Sequence, residues 1–437
     1  MGAKLECHLE IYADAGWRDC AIVTVDDPRA GGVRGRATFE YELDYVFSAG
    51  PAPAPVSLVL PVNTELRQTE HWPSFLYDLV PQGNGRKYLL GQLRLADDAA
   101  ADFALICAGA FNPIGCIRVR EAVAYFEQHA GRHAASNVEH GLTLAQILDR
   151  GEPFVERMLV HSMLAAGTTG IQGAAPKFLL TQDRAGLWHA DGALPDAEAA
   201  NHVIVKLPRG KAEADRKVLR NEAAYMRVAR ELGLRTAGEI TLHGDMLFIP
   251  RFDRTVSGGS VLRHHQESAA SIAGIVGFDM RPSQFDVLHA LRKVVTDPQA
   301  ETLEFLKRDV LNLAMRNTDN HARNTAVQVR DGVVRLTPLF DFAPMYLDPE
   351  GIARASRWYH PQGGNELQHW RNVLAALDVG DAERAALREG LAAFAEEVAR
   401  LDAVMHAAGV EDDIVTYLRP SIAGQLRQLQ ELGVAHG

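Results

Sequence analysis

The hydrophobic positions change period along the chain. Residues 4–12 and 20–25 mix apolar and polar residues with β-branched and aromatic members, as strands do. Ala37-Thr38-Phe39-Glu40-Tyr41-Glu42-Leu43 alternates at period two, which predicts a half-buried strand. Asp26-Asp27-Pro28 and Gly31-Gly32 supply turns between them. A stiff connection from Pro51 to Pro55 follows, and Leu58-Val59-Leu60-Pro61-Val62 predicts a further short strand. Phe75 to Pro81 reads as a helix stopped by proline. Ala104 to Gly109 is apolar on all sides, and Pro113-Ile114-Gly115 leads into a strand at 116–119.

Gly131, Ser136 and Asn137 break the apolar pattern, so a boundary is expected within 125–140. Residues 142–166 have helical spacing, with a break near Gly151-Glu152-Pro153. Phe178-Leu179-Leu180, residues 202–208 and residues 246–254 predict strands. A helical pattern starts at Glu222 and ends with Gly233 as its cap. From residue 265 onward the pattern is helical, apart from a short strand at 335–340. It includes an amphipathic run at 302–315 and a core stripe of Leu387, Leu391, Phe394, Val398 and Leu401. The expected class is α+β in three parts: an N-terminal α+β subdomain at 1–135, a β-rich part at 136–260 and an all-helical part at 261–437.

Composition narrows the function classes. A chain of 437 residues exceeds one compact core. A net charge of −11 argues against binding nucleic acid unaided, since neutralising phosphates needs a basic face. Cys7, Cys20, Cys107 and Cys116 form no C-x-x-C pair and read as thiols of a reducing compartment. No basic-then-apolar leader begins the sequence, and Glu6 stands where a myristoylation signal wants Ser or Thr. No apolar run approaches the roughly 18 residues of a membrane span, so a cytoplasmic protein with no membrane partner is expected.

The candidate chemistry centres on Asn317-Thr318-Asp319-Asn320-His321-Ala322-Arg323-Asn324, followed by Asp341-Phe342-Ala343. Asp319 and Asn324 are five apart, and Asp341 comes seventeen residues later. Protein kinases space a catalytic aspartate and two Mg²⁺ ligands in this way. One carboxylate orients the attacking hydroxyl; an amide oxygen and a second carboxylate hold Mg²⁺ against the phosphates. Lys206, near the end of a β-branched strand, is either an edge-guarding lysine or a phosphate contact. Glu222, sixteen residues on, would fix its ammonium, or else is surface charge. The small-residue loop Gly167-Thr168-Thr169-Gly170-Ile171-Gln172-Gly173-Ala174-Ala175-Pro176-Lys177 lets backbone N–H groups approach phosphate, with Lys177 adding charge. It matches no standard phosphate-loop pattern, and a plain connector is the alternative. Phe252 is either an adenine neighbour or a core ring. Together, in this order, Lys206, Glu222, Asp319, Asn324 and Asp341 point to a phosphotransferase with a two-lobed, kinase-like fold.

The sequence resembles the HipA family, serine/threonine kinase toxins of bacterial toxin–antitoxin systems. The resemblance lies in residues 202–208, Asn221-Glu222, Arg251-Phe252-Asp253-Arg254, the block from Asn317 to Asn324, and Leu336-Thr337-Pro338-Leu339-Phe340-Asp341. Leu58 to Pro61 and Leu79-Val80-Pro81-Gln82-Gly83 resemble that family's first subdomain. The resemblance implies Asp319 as the catalytic carboxylate and Asn324 and Asp341 as Mg²⁺ ligands. It implies ATP phosphates at Lys206 and adenine at Phe252. The loop carrying Thr168, Thr169, Gly170 and Lys177 would touch phosphate and take the regulatory autophosphorylation; Thr169 is the residue chosen, where the family has serine. It further implies a translation protein, such as an aminoacyl-tRNA synthetase, as substrate. The implied partner is a helix-turn-helix antitoxin of the HipB type that brings the pair to operator DNA, and the implied role is growth control of the persistence kind. The alternatives are a small-molecule phosphotransferase and a catalytically silent member of a repressor complex.

Overall fold

A computed structural model describes residues 4–49, 52–133, 141–150, 176–278 and 280–434. The chain divides into two compact units, residues 1–207 with 248–280, and residues 208–247 with 281–437.

The first unit opens with an antiparallel sheet ordered Arg67–Thr69, Ala37–Tyr41, Gly16–Val25, Leu5–Ala13, Ile117–Val119. Period two places Cys7, Leu9 and Ile11 on the buried face, with Val23 opposite Cys7 and Ala21 opposite Leu9. The register slips at Leu9/Glu10, where Cys20 is the extra residue. This bulge lets the consecutive Cys20 and Ala21 both face inward, and the Cys20 thiol donates to the Leu9 carbonyl at 3.2 Å. The helix Asp102–Gly109 buries Phe103, Leu105, Ile106 and Ala108, which accounts for its apolar composition all round.

Two expectations for this unit are corrected. Residues 58–62 are not a strand: an isolated Ser57–Leu60 bridge closes a tight turn there. Glu267 fixes that turn by accepting from Ser57 Oγ at 2.6 Å and Leu58 N–H at 2.9 Å, and Pro61 has no N–H to extend a ladder. Gly131 ends nothing, because the helix Arg120–His133 runs through it. One interior glycine costs about 1 kcal/mol, which the packing of the buried Ala122 and the half-buried Phe126, stacked on Phe111 at 4.0 Å, offsets.

Further along, the strand Lys177–Asp183 pairs antiparallel with both Trp188–Ala190 and Ala199–Lys206. On the far side of Ala199–Lys206, the chain leaving Met246–Pro250 returns with Arg251 N–H donating to the His202 carbonyl at 2.9 Å. Ala199–Lys206 is therefore interior to its sheet, and Lys206 is not an edge guard.

The second unit is mostly helical. Its helices are Glu213–Glu231, Gln284–Arg292, Pro298–Ala314, Trp370–Ala376, Asp381–Ala399, Leu401–Ala408 and Asp412–Gly433. Leu387, Leu391, Phe394, Val398 and Leu401 are all buried. The helix carrying Glu222 begins nine residues earlier than expected, at Glu213, where Asp215 reaches back to the Ala212 N–H at 3.2 Å. The expectation of an all-helical region from 261 onward is also amended. Residues 265–268 form a strand of the first unit, and Ala326–Arg330 pairs with Val333–Leu336 as a hairpin in the second. Its two-residue turn is Asp331-Gly332, both with positive φ, the conformation this dipeptide favours. No helix among the described residues is long and apolar enough to cross a membrane.

Candidate active site

The site in the second unit grows from the end of one helix. Pro298–Ala314 starts on an Asp297 cap, whose carboxylate accepts from Ala300 N–H at 3.0 Å, with Pro298 in its first turn. It stops at Met315, and Arg316, at φ +53°, turns the chain back. Asn317 N–H then donates to the Asn312 carbonyl at 2.9 Å, and its amide donates to Asn312 Oδ1 at 2.9 Å. That amide also reaches the Asp341 carbonyl at 3.4 Å, joining the two halves of the motif.

The loop is built from anchored asparagines around one accessible carboxylate. Asn317, Asn320 and Asn324 are buried, whereas the Asp319 side chain is 26 % exposed. Asn324 Nδ2 donates to the Asp319 carbonyl at 2.7 Å, which fixes the amide orientation and leaves Asn324 Oδ1 as a buried acceptor without a hydrogen bond. A buried amide oxygen without a donor is costly. A hard cation would satisfy it, so this residue fits the ligand role expected of it. His321 Nε2 lies 3.7 Å from Asp319 Oδ1, within reach as an ion pair when the imidazole is protonated.

Asp341 is placed from both sides. Leu339 N–H donates to the Arg235 carbonyl at 2.8 Å, and Thr236 and Leu339 form a parallel bridge. Asp341 itself sits at φ +50°, a left-handed conformation that aspartate tolerates better than most residues. Phe342 is fully buried with its ring 5.3 Å from Tyr225, and the Tyr225 hydroxyl donates to the Met315 carbonyl at 3.1 Å. Tyr225 therefore braces both the start of the loop and the Asp341 turn. Glu222 lies one turn before it on the same helix and is buried, not a surface charge. Its neighbour Asn221 serves elsewhere, exchanging hydrogen bonds with Glu411 ahead of the helix Asp412–Gly433.

Lys206, Lys177 and Phe252 belong to the first unit. Lys177 and Lys206 are directly paired across antiparallel strands, so both side chains leave the same face of the sheet. Two ammonium groups in register repel unless an anion or carboxylate is at hand. Phe252 is half-buried, between buried neighbours. Thr168, Thr169 and Gly170 lie outside the described residues.

The residues around Phe252 form a network that sequence reasoning missed. Arg251 donates to both oxygens of Asp253, at 2.9 and 2.6 Å, and to Asp191 at 2.5 Å. Gly115 N–H completes Asp253 at 2.9 Å, and Arg254 binds Asn112 at 3.0 Å. Burial alone would raise the Asp253 pKa, but Arg251 beside it and hydrogen bonding hold it down to about 2. Burial and the neighbouring Arg251 bring Arg254 down to about 10. The visible signal was an apolar strand pattern running directly into Arg-Phe-Asp-Arg, three charges of both signs within four residues. The stability supplied by Asp253 is fully present above its unfolded value near 4 and is lost as pH falls through about 2. We expect urea midpoints to hold from pH 7 to about 4 and to drop below that. The Asp253→Asn variant should start lower and fall less steeply with acid; an unchanged acid slope would dismiss the network as its source.

Comparison with known proteins places this architecture. The α+β fold is that of a chain in the Shewanella oneidensis MR-1 toxin–antitoxin complex of HipA, HipB and operator DNA: TM-score 0.63, 18 % identity, and 97 % of each chain covered. The Helicobacter pylori proinflammatory kinase CtkA aligns over 54 % of this chain and 90 % of its own, at 10 % identity and a TM-score of 0.37. No curated protein matches the sequence. The family model described as the HipA-like C-terminal domain matches residues 169–404, more than half of the sequence, and the chain belongs to that family.

Proposed function

We propose that the chain is an ATP- and Mg²⁺-dependent serine/threonine protein kinase acting as the toxin of a HipA-type toxin–antitoxin pair. The observation that carries this reading is the hydrogen-bonded block from Asn317 to Asn324 joined to Asp341. It presents one accessible carboxylate beside a buried amide oxygen without a donor. In this reading Asp319 accepts the proton of the substrate hydroxyl as that oxygen attacks the γ-phosphorus of ATP, and ADP departs. Asn324 and Asp341 hold Mg²⁺, which when bound neutralises phosphate charge. The in-register Lys177 and Lys206 hold phosphates, and Phe252 lines adenine. Thr168, Thr169 and Gly170 contribute the phosphate loop, with Thr169 the autophosphorylation site.

The partner in this reading is a helix-turn-helix antitoxin, by analogy with the HipB of the Shewanella complex. Operator DNA is then reached mainly through that partner, in keeping with the net charge of −11. The substrate proposed is a cytoplasmic translation protein such as an aminoacyl-tRNA synthetase.

The test is thermal unfolding with Mg·ATP, followed by mass spectrometry after incubation with and without cell lysate. A ligand at 100 times its Kd stabilises by about 2.7 kcal/mol. We expect a rise in melting temperature that needs both Mg²⁺ and ATP and is lost in Asn324→Ala, with phosphate appearing on protein serine or threonine. Phosphate entering only a metabolite would replace the protein substrate by a small one. The absence of both a shift and any transfer would overturn the proposal.

A further inference from the structure

Asp309 lies on the helix Pro298–Ala314, ten residues before Asp319, and its side chain is fully enclosed. It is not part of the motif, yet it accepts hydrogen bonds from three separate side chains. Asn320 Nδ2, from the loop beside Asp319, donates to Oδ1 at 2.9 Å. Arg354 Nη2 reaches both carboxylate oxygens at 2.7 Å. Trp358 Nε1 donates to Oδ2 at 2.7 Å. Arg354 and Trp358 come from the segment that follows the Asp341 turn. That segment is itself held: Arg354 Nε donates to the Ser356 carbonyl, Ser283 bridges to Arg357, and Trp358 packs edge-on against Phe285 at 4.8 Å.

A buried carboxylate needs this much compensation, and removing one partner leaves charge uncompensated. Compensation alone would be met by Arg354 and Trp358. The third donor is the residue next to the accessible carboxylate, so any displacement of Arg354 or Trp358 reaches Asp319 through a single shared anion. The geometry points to Asp309 as a positioning residue that ties the segment Arg354–Trp358 to the Asn317–Asn324 loop and sets the placement of Asp319. This rests on the phosphotransfer reading above.

The experiment uses the full-length protein and measures phosphate transfer from Mg·ATP and the melting temperature for Asp319→Ala, Asn320→Ala, Arg354→Gln and the double variant. Misplacing a reacting group by about 1 Å costs on the order of 100-fold. We expect Asn320→Ala to lower kcat by at least about tenfold, with KM for ATP and the melting temperature nearly unchanged. Arg354→Gln should also lower kcat, and the double variant should be no slower than the worse single one, since both act through one carboxylate. Full kcat in Asn320→Ala, or losses that multiply in the double variant, would overturn the coupling while an inactive Asp319→Ala upholds the phosphotransfer reading. Full activity in Asp319→Ala would instead reject that reading, and this inference with it.

Discussion

On the phosphotransfer reading, replacing Asp319 by asparagine is expected to lower phosphate transfer from Mg·ATP by about 1000-fold and to leave the protein folded. The side chain is partly exposed, and its backbone is held independently by Asn324 and by the His321 N–H at 3.1 Å. The substitution keeps the shape and removes the charge that would accept the hydroxyl proton in that reading. A positioned acid–base group contributes roughly 10²–10⁴-fold, equivalent to about 3–5 kcal/mol of barrier. The rate is read from labelled phosphate entering protein in a lysate. ATP-dependent thermal stabilisation should persist, because the ligands proposed for the metal are Asn324 and Asp341. An asparagine variant that transfers phosphate at the full rate would remove Asp319 from the mechanism.

Asp253→Ala should have the opposite signature and is expected to destabilise the first unit by about 3–5 kcal/mol, the usual cost of stripping one partner from a buried ion pair. Arg251 has no exposed side-chain surface, and Asp253 supplies two of its hydrogen bonds. Without Asp253, Arg251 retains Asp191 as its carboxylate while Arg254 stays close by, so two guanidinium groups share one anion. Denaturant midpoints measure the loss. A change below about 1 kcal/mol would mean that the arginines find other partners or water.

These two sites differ in how far the chain alone revealed them. Asp319, Asn324 and Asp341 are close in sequence, and their spacing is itself the signal. Their support is not: Tyr225 lies 90 residues before the Met315 carbonyl that it holds, and Arg354 lies 45 after Asp309. Each supporting residue is ordinary in its local setting, a tyrosine on a helix or an arginine in a coil. The same contrast runs through the fold. Composition rich in β-branched and aromatic residues disclosed Leu5–Ala13, and period-two alternation Ala37–Tyr41, whereas the bulge at Cys20 depends on a register that only the paired strand defines. The turn at Ser57–Leu60 depends on Glu267, 210 residues away. The hairpin at Asp331-Gly332 was missed in the helical reading of that region, although the dipeptide between β-branched runs is a strong local turn signal.

The two-stretch composition of each unit has a consequence for synthesis. A ribosome delivers the N-terminal 207 residues long before Asp253 and Glu267 exist. Until then the Gly115 N–H, Ser57 and Leu58 lack the carboxylates that will accept from them. Domains that fold as they emerge usually complete one contiguous stretch at a time. Here the early sheet, all of whose strands lie before residue 120, is delivered whole, but the Ser57–Leu60 turn and the Gly115 N–H must wait for the chain to travel out through residues 208–247 and come back. That interval is where a nascent copy most needs a chaperone.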